Sequence, residues 1–255
     1  MASFAFSVTR LVPLLLLLSV LLIVARVLRD RVGGAAGRAA FVMVIAIAAL
    51  VACGVLLQTG TAVVAHETYS RRAWRSVDQS YRAYTILRGR VSRTMAYEWG
   101  IALMHGAQWT RATTMFERTG TSSPRGLLLS SDVTLLIGEC LYYSGDLNRA
   151  EVAIRVARRA ARGEARDYFL GRIAERKGRT ADAARLYAMS IAITPGFYPG
   201  VYHHARLLAA SGEAAAAAAE LDRFAGVNDP TWREARSAAG RGTVPRDVEF
   251  YVLES

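Results

Sequence analysis

Cysteine, histidine and lysine are scarce in this chain, and each scarcity excludes something. The two cysteines, Cys53 and Cys140, fall in different parts of the sequence. They imply neither a disulfide framework nor a zinc site of paired thiolates. The four histidines are His66, His105, His203 and His204. The adjacent pair would diverge by ~100° on a helix and cannot easily share a metal. No Walker loop, Gly-x-Ser-x-Gly or His-Glu-x-x-His motif is present. Glu98, Glu117, Glu139 and Glu175 fall at ordinary helical positions, with no nucleophile beside a base. The expectation is a protein without catalytic, metal-binding or cofactor-binding residues: no enzyme, no cofactor. Lysine occurs once, as Lys177, against 31 arginines, and the net charge is +11. With abundant alanine this bias suggests a GC-rich bacterial genome, so part of the basicity reflects codon usage rather than a ligand.

What the chain does have is apolar length near its start. Hydrophobic residues make up 53% of the sequence, and mean hydropathy is +0.20. Residues 11–25 (LVPLLLLLSVLLIVA) carry no charge, and neither do residues 39–65. The first run spans only ~22 Å of a ~30 Å hydrocarbon core, so flanking residues must extend it, with Arg10 and Arg26 reaching the headgroups. The second crosses with tilt. The Arg- and Gly-rich residues 26–38 between them read as a hairpin loop. The sequence after the first run is a poor cleavage site, which favours an uncleaved helix over a signal peptide. Arg26, Arg29, Arg31 and Arg38 in the loop favour its placement in the cytoplasm. The remainder would then be extracytoplasmic, on a multi-pass protein of the bacterial inner membrane. Ala48 with Ala52, and Ala49 with Cys53, put small residues four apart on the second helix, a face suited to close helix packing.

Residues 68–88 show Trp74, Val77, Tyr81, Tyr84 and Leu87 at helical spacing among arginines. This amphipathic segment either caps the helix that contains Gly100 or lies on the bilayer, with Arg71, Arg72 and Arg75 on anionic lipid.

The remaining sequence repeats. Gly100, Gly138, Gly171 and Ala205 follow one another at steps of 38, 33 and 34 residues. Twelve positions beyond each stands an alanine: Ala112, Ala150, Ala183 and Ala217. Four further on stand Phe116, Ile154, Tyr187 and Leu221. Between the small residues and the alanines lie Ala107, Gly145, Gly178 and Gly212, at turns. Pro124 and Pro195 close the first and third units. This pattern resembles the tetratricopeptide repeat (TPR), a helix–turn–helix unit of about 34 residues. A unit so small cannot bury its apolar face alone, so neighbours must stack.

The fold class expected is all-α: an N-terminal transmembrane helical hairpin (1–66), an amphipathic linker or capping helix (67–92), a TPR-like α-solenoid of about four repeats (93–228), and a C-terminal capping helix and tail (229–255). In the tail, residues 240–243 read as flexible and 248–253 as apolar enough to dock, either on the chain's own stack or on a partner.

The resemblance implies that the first helix of each unit lines a protein-binding groove. By position this places Tyr97 and Ile101, then Leu135, Glu139 and Tyr142, then Tyr168, Arg172 and Arg176, then Tyr202 and Arg206, with His105 and Tyr143 beside them. Tyrosine with arginine suits an extended peptide with acidic or aromatic side chains; the tyrosines could instead pack between helices. The Lys/Asn clamp of chaperone-binding TPRs is absent. Arg155, Arg158, Arg159, Arg162 and Arg166 form a basic run, but the membrane tether and the lack of stacking aromatics argue against nucleic acid. The function expected is a membrane-anchored scaffold binding partner proteins of a membrane complex. The alternative is an integral accessory subunit held mainly through its hairpin.

Overall fold

The computed structural model describes residues 19–20, 22–24, 26–27, 30–31, 34–87, 89–120, 133–157, 162–223 and 229–250. Residues 19–20, 22–24, 26–27 and 30–31 are helical, eleven helices follow from Gly34 onward, and none of the described residues lies in a strand. The chain divides into two compact units between Val91 and Ser92.

In the first unit, α1 (Gly34–Ser70) runs for 37 residues. It is the one helix among the described residues long and apolar enough to cross a membrane. The first apolar run lies largely outside the described residues, so a two-helix hairpin is not established. The expected loop is shorter than read: residues 34–38 already belong to α1, where Ala35, Ala36 and Arg38 are good helix formers. Along α1, Ala48 is buried and Ala52 half-buried, whereas Ala49 and Cys53 are exposed, so the two small-residue pairs do not share a covered face.

The expected amphipathic helix over 68–88 is broken. The chain turns at Arg71 and Arg72, and Arg72 takes a left-handed conformation (φ 56°). From there α2 (Trp74–Ile86) runs back along α1. The Trp74 ring meets Tyr69 edge-on at 5.8 Å, and the Gln58 side chain donates to the Leu87 carbonyl. The partner of α2 is thus its own preceding helix, where the sequence pointed to the first repeat. Val77, Tyr81 and Tyr84 are buried.

The second unit consists of helix pairs: α3 (Arg93–His105) with α4 (Trp109–Thr119), α5 (Val133–Tyr143) with α6 (Leu147–Val156), α7 (Gly163–Arg176) with α8 (Thr180–Ile193), and α9 (Tyr198–Ala210) with α10 (Ala214–Asp222). Each pair also packs on the next, as a stacked array requires. The repeat residues explain the close crossing. A Cβ at Gly100 would lie 2.6 Å from the Phe116 ring, and one at Gly171 would lie 2.6 Å from Tyr187. At Gly138 it would run into Ile154. Ala112, Ala150, Ala183 and Ala217 have no exposed surface. The inter-helix turns need a left-handed residue, supplied by Gly145, Gly178 and Gly212 with φ of 90°, 74° and 90°. In the first repeat Ala107 takes that conformation (φ 52°) despite its Cβ. Ser92 and Asp146 cap α3 and α6 by accepting from the Met95 and Arg149 amides.

A last helix, α11 (Pro230–Gly240), closes the stack. Asp229 caps it, and Trp232, Ala235 and Ala239 are buried with Ala217 and Leu221. The Trp232 indole donates to the Leu221 carbonyl at 3.1 Å. Residues 240–243, expected to be flexible, form an ordered helix end. Thr243 N–H bonds the Ala238 carbonyl and Gly242 N–H that of Ala239, with Gly242 left-handed (φ 71°).

Candidate peptide-binding groove

The first helices of repeats two, three and four, α5, α7 and α9, offer a continuous set of side chains. Across it runs the chain's own segment 246–250, without regular secondary structure. Tyr202 on α9 donates its hydroxyl to the Arg246 carbonyl at 2.8 Å, and Tyr143 on α5 to the Phe250 carbonyl at 3.0 Å. The segment therefore crosses from the fourth repeat to the second.

Arg172 on α7 is the centre of the site. Its side chain is 3% exposed. Its Nη2 donates to Glu249 at 2.7 Å, and its Nη1 to Asp247 at 2.9 Å and Glu175 at 3.2 Å. Its Nε donates to the Tyr142 hydroxyl at 3.2 Å, and Nη1 faces His203 Nδ1 at 3.0 Å. Arg176 adds a second bond to Glu249 at 2.9 Å, its guanidinium 4.4 Å over the Tyr142 ring. Tyr142 itself donates to Glu249 at 2.9 Å. Arg206 pairs with Glu175 and lies 3.7 Å from Asp247. Phe250 packs edge-on against Tyr198, Tyr202 and His203, with ring centroids 5.5, 5.1 and 5.8 Å apart.

Burial sets the protonation states. It pushes the hydroxyls of Tyr142, Tyr168 and Tyr187 up, and that of Tyr202 to about 12, so all stay protonated; Tyr142, Tyr187 and Tyr202 donate, while the buried Tyr168 hydroxyl meets no partner among the described residues. Desolvation, then the charge of Arg172, push His203 down to about 3 against the pull of Asp247. The imidazole is neutral, and its Nδ1 accepts from Arg172. Asp247 is held below its usual range: desolvation would raise it, but Arg172 and Arg206 outweigh that. Desolvation lowers Arg206.

Of the residues the sequence picked out, Tyr142, Arg172, Arg176, Tyr202 and Arg206 converge on this segment. Tyr168 is fully buried behind it, against Phe169, Tyr187, Phe197 and His203. Glu139 is buried and bonded by Arg162 at 3.2 Å. Tyr97, Ile101 and Leu135 are buried; Tyr97 packs edge-on against Phe116 within its own repeat. The basic run is largely neutralised among the described residues. Arg155 pairs with Glu151, Arg162 with Glu139 and Arg166 with Asp167, while Arg158 and Arg159 lie outside them.

Sequence reasoning passed over His203, Glu175, Asp247 and Glu249. A signal existed for Glu175, since Arg172 and Arg206 are one repeat apart and two like charges on adjacent helices need a counter-charge. Of the two alternatives for the apolar residues 248–253, the described part, 248–250, docks on the chain's own stack, but nothing local in 246–250 specified the side chains it meets.

Among the described residues, no group of three or more His, Cys, Asp or Glu side chains could hold a metal ion. No protein-family model matches the chain, and no curated protein is similar to it. Among solved structures, it is similar to the crystal structure of MamA protein, a TPR-like protein, with a TM-score of 0.52 and 15% identity over 68% of this chain and 96% of that one. The likeness is one of fold: a TPR-like helical repeat array.

Proposed function

We propose that this protein is a membrane-anchored TPR scaffold whose groove on α5, α7 and α9 captures a segment of a partner protein and so supports assembly of a bacterial membrane complex. One observation carries the reading: Arg172, Arg176 and Arg206, with four tyrosines, converge on a segment of chain, the arrangement a peptide receptor needs. The repeats supply only part of what the buried Arg172 needs, from Tyr142, Glu175 and His203, and the segment's Asp247 and Glu249 supply the rest.

The anchor follows from α1. At 1.5 Å per residue its 37 residues extend ~55 Å, well beyond the ~30 Å hydrocarbon core. From about Gln58 onward α2 lies beside it with Arg75, Asp78 and Arg82, which lipid would not accommodate. Residues 39–57 are left to span, ~28 Å. The uncharged run of 39–65 thus divides into a crossing part and a stalk clad by α2. Arg71, Arg72 and Arg75 then sit at the far end of the stalk, which weakens the expectation that they touch anionic lipid. The repeats stand on the extracytoplasmic side, with residues 26–38 in the cytoplasm.

Two experiments test this. A photo-crosslinking residue at position 176, in membranes, should capture a partner, and Arg172→Ala with Arg206→Ala should abolish the product while the protein stays in the membrane. Crosslinking that ignores both substitutions refutes the groove. Exchanging residues 1–66 for an unrelated anchor separates scaffold from accessory subunit: the complex persists in the first case and is lost in the second.

A further inference from the structure

The segment lying in the groove is part of this chain, and its chemistry specifies what else can lie there. We infer that the groove takes an extended peptide bearing carboxylates two residues apart followed by an aromatic residue, and that residues 246–250 are a built-in occupant which a partner's segment of that chemistry displaces. This rests on the groove being the partner site proposed above.

The charges carry the argument. On the receptor side, Arg172, Arg176 and Arg206 face one another with Glu175 as the carboxylate among them. Two positive charges remain unmatched, and Asp247 and Glu249 match them. A guanidinium as buried as Arg172 is costly without a counter-charge, so an empty groove would be strongly attractive to any acidic peptide. The bonds also divide by kind. Tyr202 and Tyr143 hold main-chain carbonyls, which any peptide carries. The arginines and Tyr142 hold side-chain carboxylates, which only some peptides carry. Phe250 fills the aromatic position against Tyr198, Tyr202 and His203. Geometry therefore reads Asp-x-Glu-Phe, with the residue between, Val248, half-buried against the same cluster as Leu208 and Ala218.

The attachment is that of a ligand rather than of a core element. Among the described residues, 244–250 make no main-chain to main-chain hydrogen bond. Asp247 keeps 55% of its side-chain surface exposed while its receptor Arg172 keeps 3%. Leaving the groove would break the polar bonds, unpack Val248 and Phe250 from the fourth-repeat cluster and leave Arg172 with Glu175 as its counter-charge. As a tethered ligand it competes at millimolar effective concentration. Only a segment of better fit, or one itself held close in a complex, would replace it.

The test uses the full chain in detergent micelles and a fluorescent synthetic peptide of residues 243–250. The peptide should bind the Asp247→Asn/Glu249→Gln chain at least about tenfold more tightly than the unaltered chain, because the tethered competitor is disarmed. Adding Arg172→Ala should remove that binding, and a peptide carrying Asn and Gln at the two acidic positions should bind neither chain. Equal affinity for both chains, or none for either, overturns the inference. A second readout needs no substitution. Trypsin should cleave the unaltered chain after Arg246 slowly, and several-fold faster with an excess of the peptide made trypsin-resistant by Arg246→Gln, as the segment is released. A cleavage rate indifferent to peptide also overturns it. If the peptide never binds but the crosslink at position 176 still depends on Arg172 and Arg206, this ligand class is wrong and the scaffold reading survives. If the peptide binds as expected but the crosslink ignores both arginines, the scaffold reading falls and the ligand class stands.

Discussion

Replacing Gly171 by alanine probes the contact on which each repeat is built. The added Cβ would lie 2.6 Å from Tyr187 Cε1 and 2.8 Å from Cδ1, closer than atoms can approach. The ring cannot swing aside freely. It is fully buried, its hydroxyl donates to Glu175 at 2.7 Å, and it stacks on His203 at 5.6 Å and 29°. Overpacking of this kind costs about 1–3 kcal/mol. Alanine regains about 0.5–1 kcal/mol as a better helix former. The net loss is about 1–2 kcal/mol, or a fall in melting temperature of roughly 3–6 °C for a unit of this size. Urea unfolding of the detergent-solubilised protein, followed by circular dichroism at 222 nm, measures it. The fourth repeat shows how the clash is relieved, since there Ala205 and Leu221 occupy the same two positions and both are fully buried. Gly171→Ala should therefore cost less in a Tyr187→Leu background, a coupling of about 1 kcal/mol. If Gly171→Ala alone is neutral, or its cost is undiminished in that background, the close approach is not what shapes the repeat.

The turn of the first repeat offers the opposite change. Ala107→Gly should stabilise by up to about 1 kcal/mol, because Ala107 is left-handed, whereas Gly178→Ala should destabilise by about 1 kcal/mol; thermal melts of the two variants check both signs. Truncating Trp232 to alanine should cost about 3–5 kcal/mol and selectively expose the fourth repeat, read as faster amide exchange in α9 and α10 than in α7. His203 makes stability fall on acidification. Its folded value, about 3, lies below the unfolded 6.5, so its contribution is complete above pH 6.5 and is lost as pH drops from there toward 3. Asp247, also depressed, loses its share in the same direction, below its usual value. The unfolding free energy from urea titrations should decline between pH 7 and pH 5 by up to about 1.4 kcal/mol per pH unit, and His203→Gln should flatten that slope; an unchanged slope would refute the buried neutral imidazole.

The legibility of this chain was uneven for physical reasons. The repeat positions were readable because each is a local steric requirement. A missing Cβ opposite Phe116, Ile154 or Tyr187, and a left-handed turn at Gly145, Gly178 or Gly212, recur wherever the unit recurs. Arg172 and Arg206 were picked out for the same reason, one repeat apart on equivalent helices, but the same period put Tyr168 in the groove, whereas its ring is buried among Phe169, Tyr187, Phe197 and His203. The break at Arg72 was not, because two arginines in a helical pattern carry no turn signal, and what turns the chain is the packing of α2 on α1.

Composition and period alone settle that the C-terminal two-thirds pairs helices around small residues, since those constraints act within one unit and its neighbour. Tertiary structure alone decides where residues 246–250 lie. Their hydrogen-bond partners are 44 to 107 residues away in the chain, and no local pattern encodes a bond between Glu249 and the residues Tyr142, Arg172 and Arg176. Long-range charge pairing of this kind depends on which surfaces the stack brings together, and only the folded array does that.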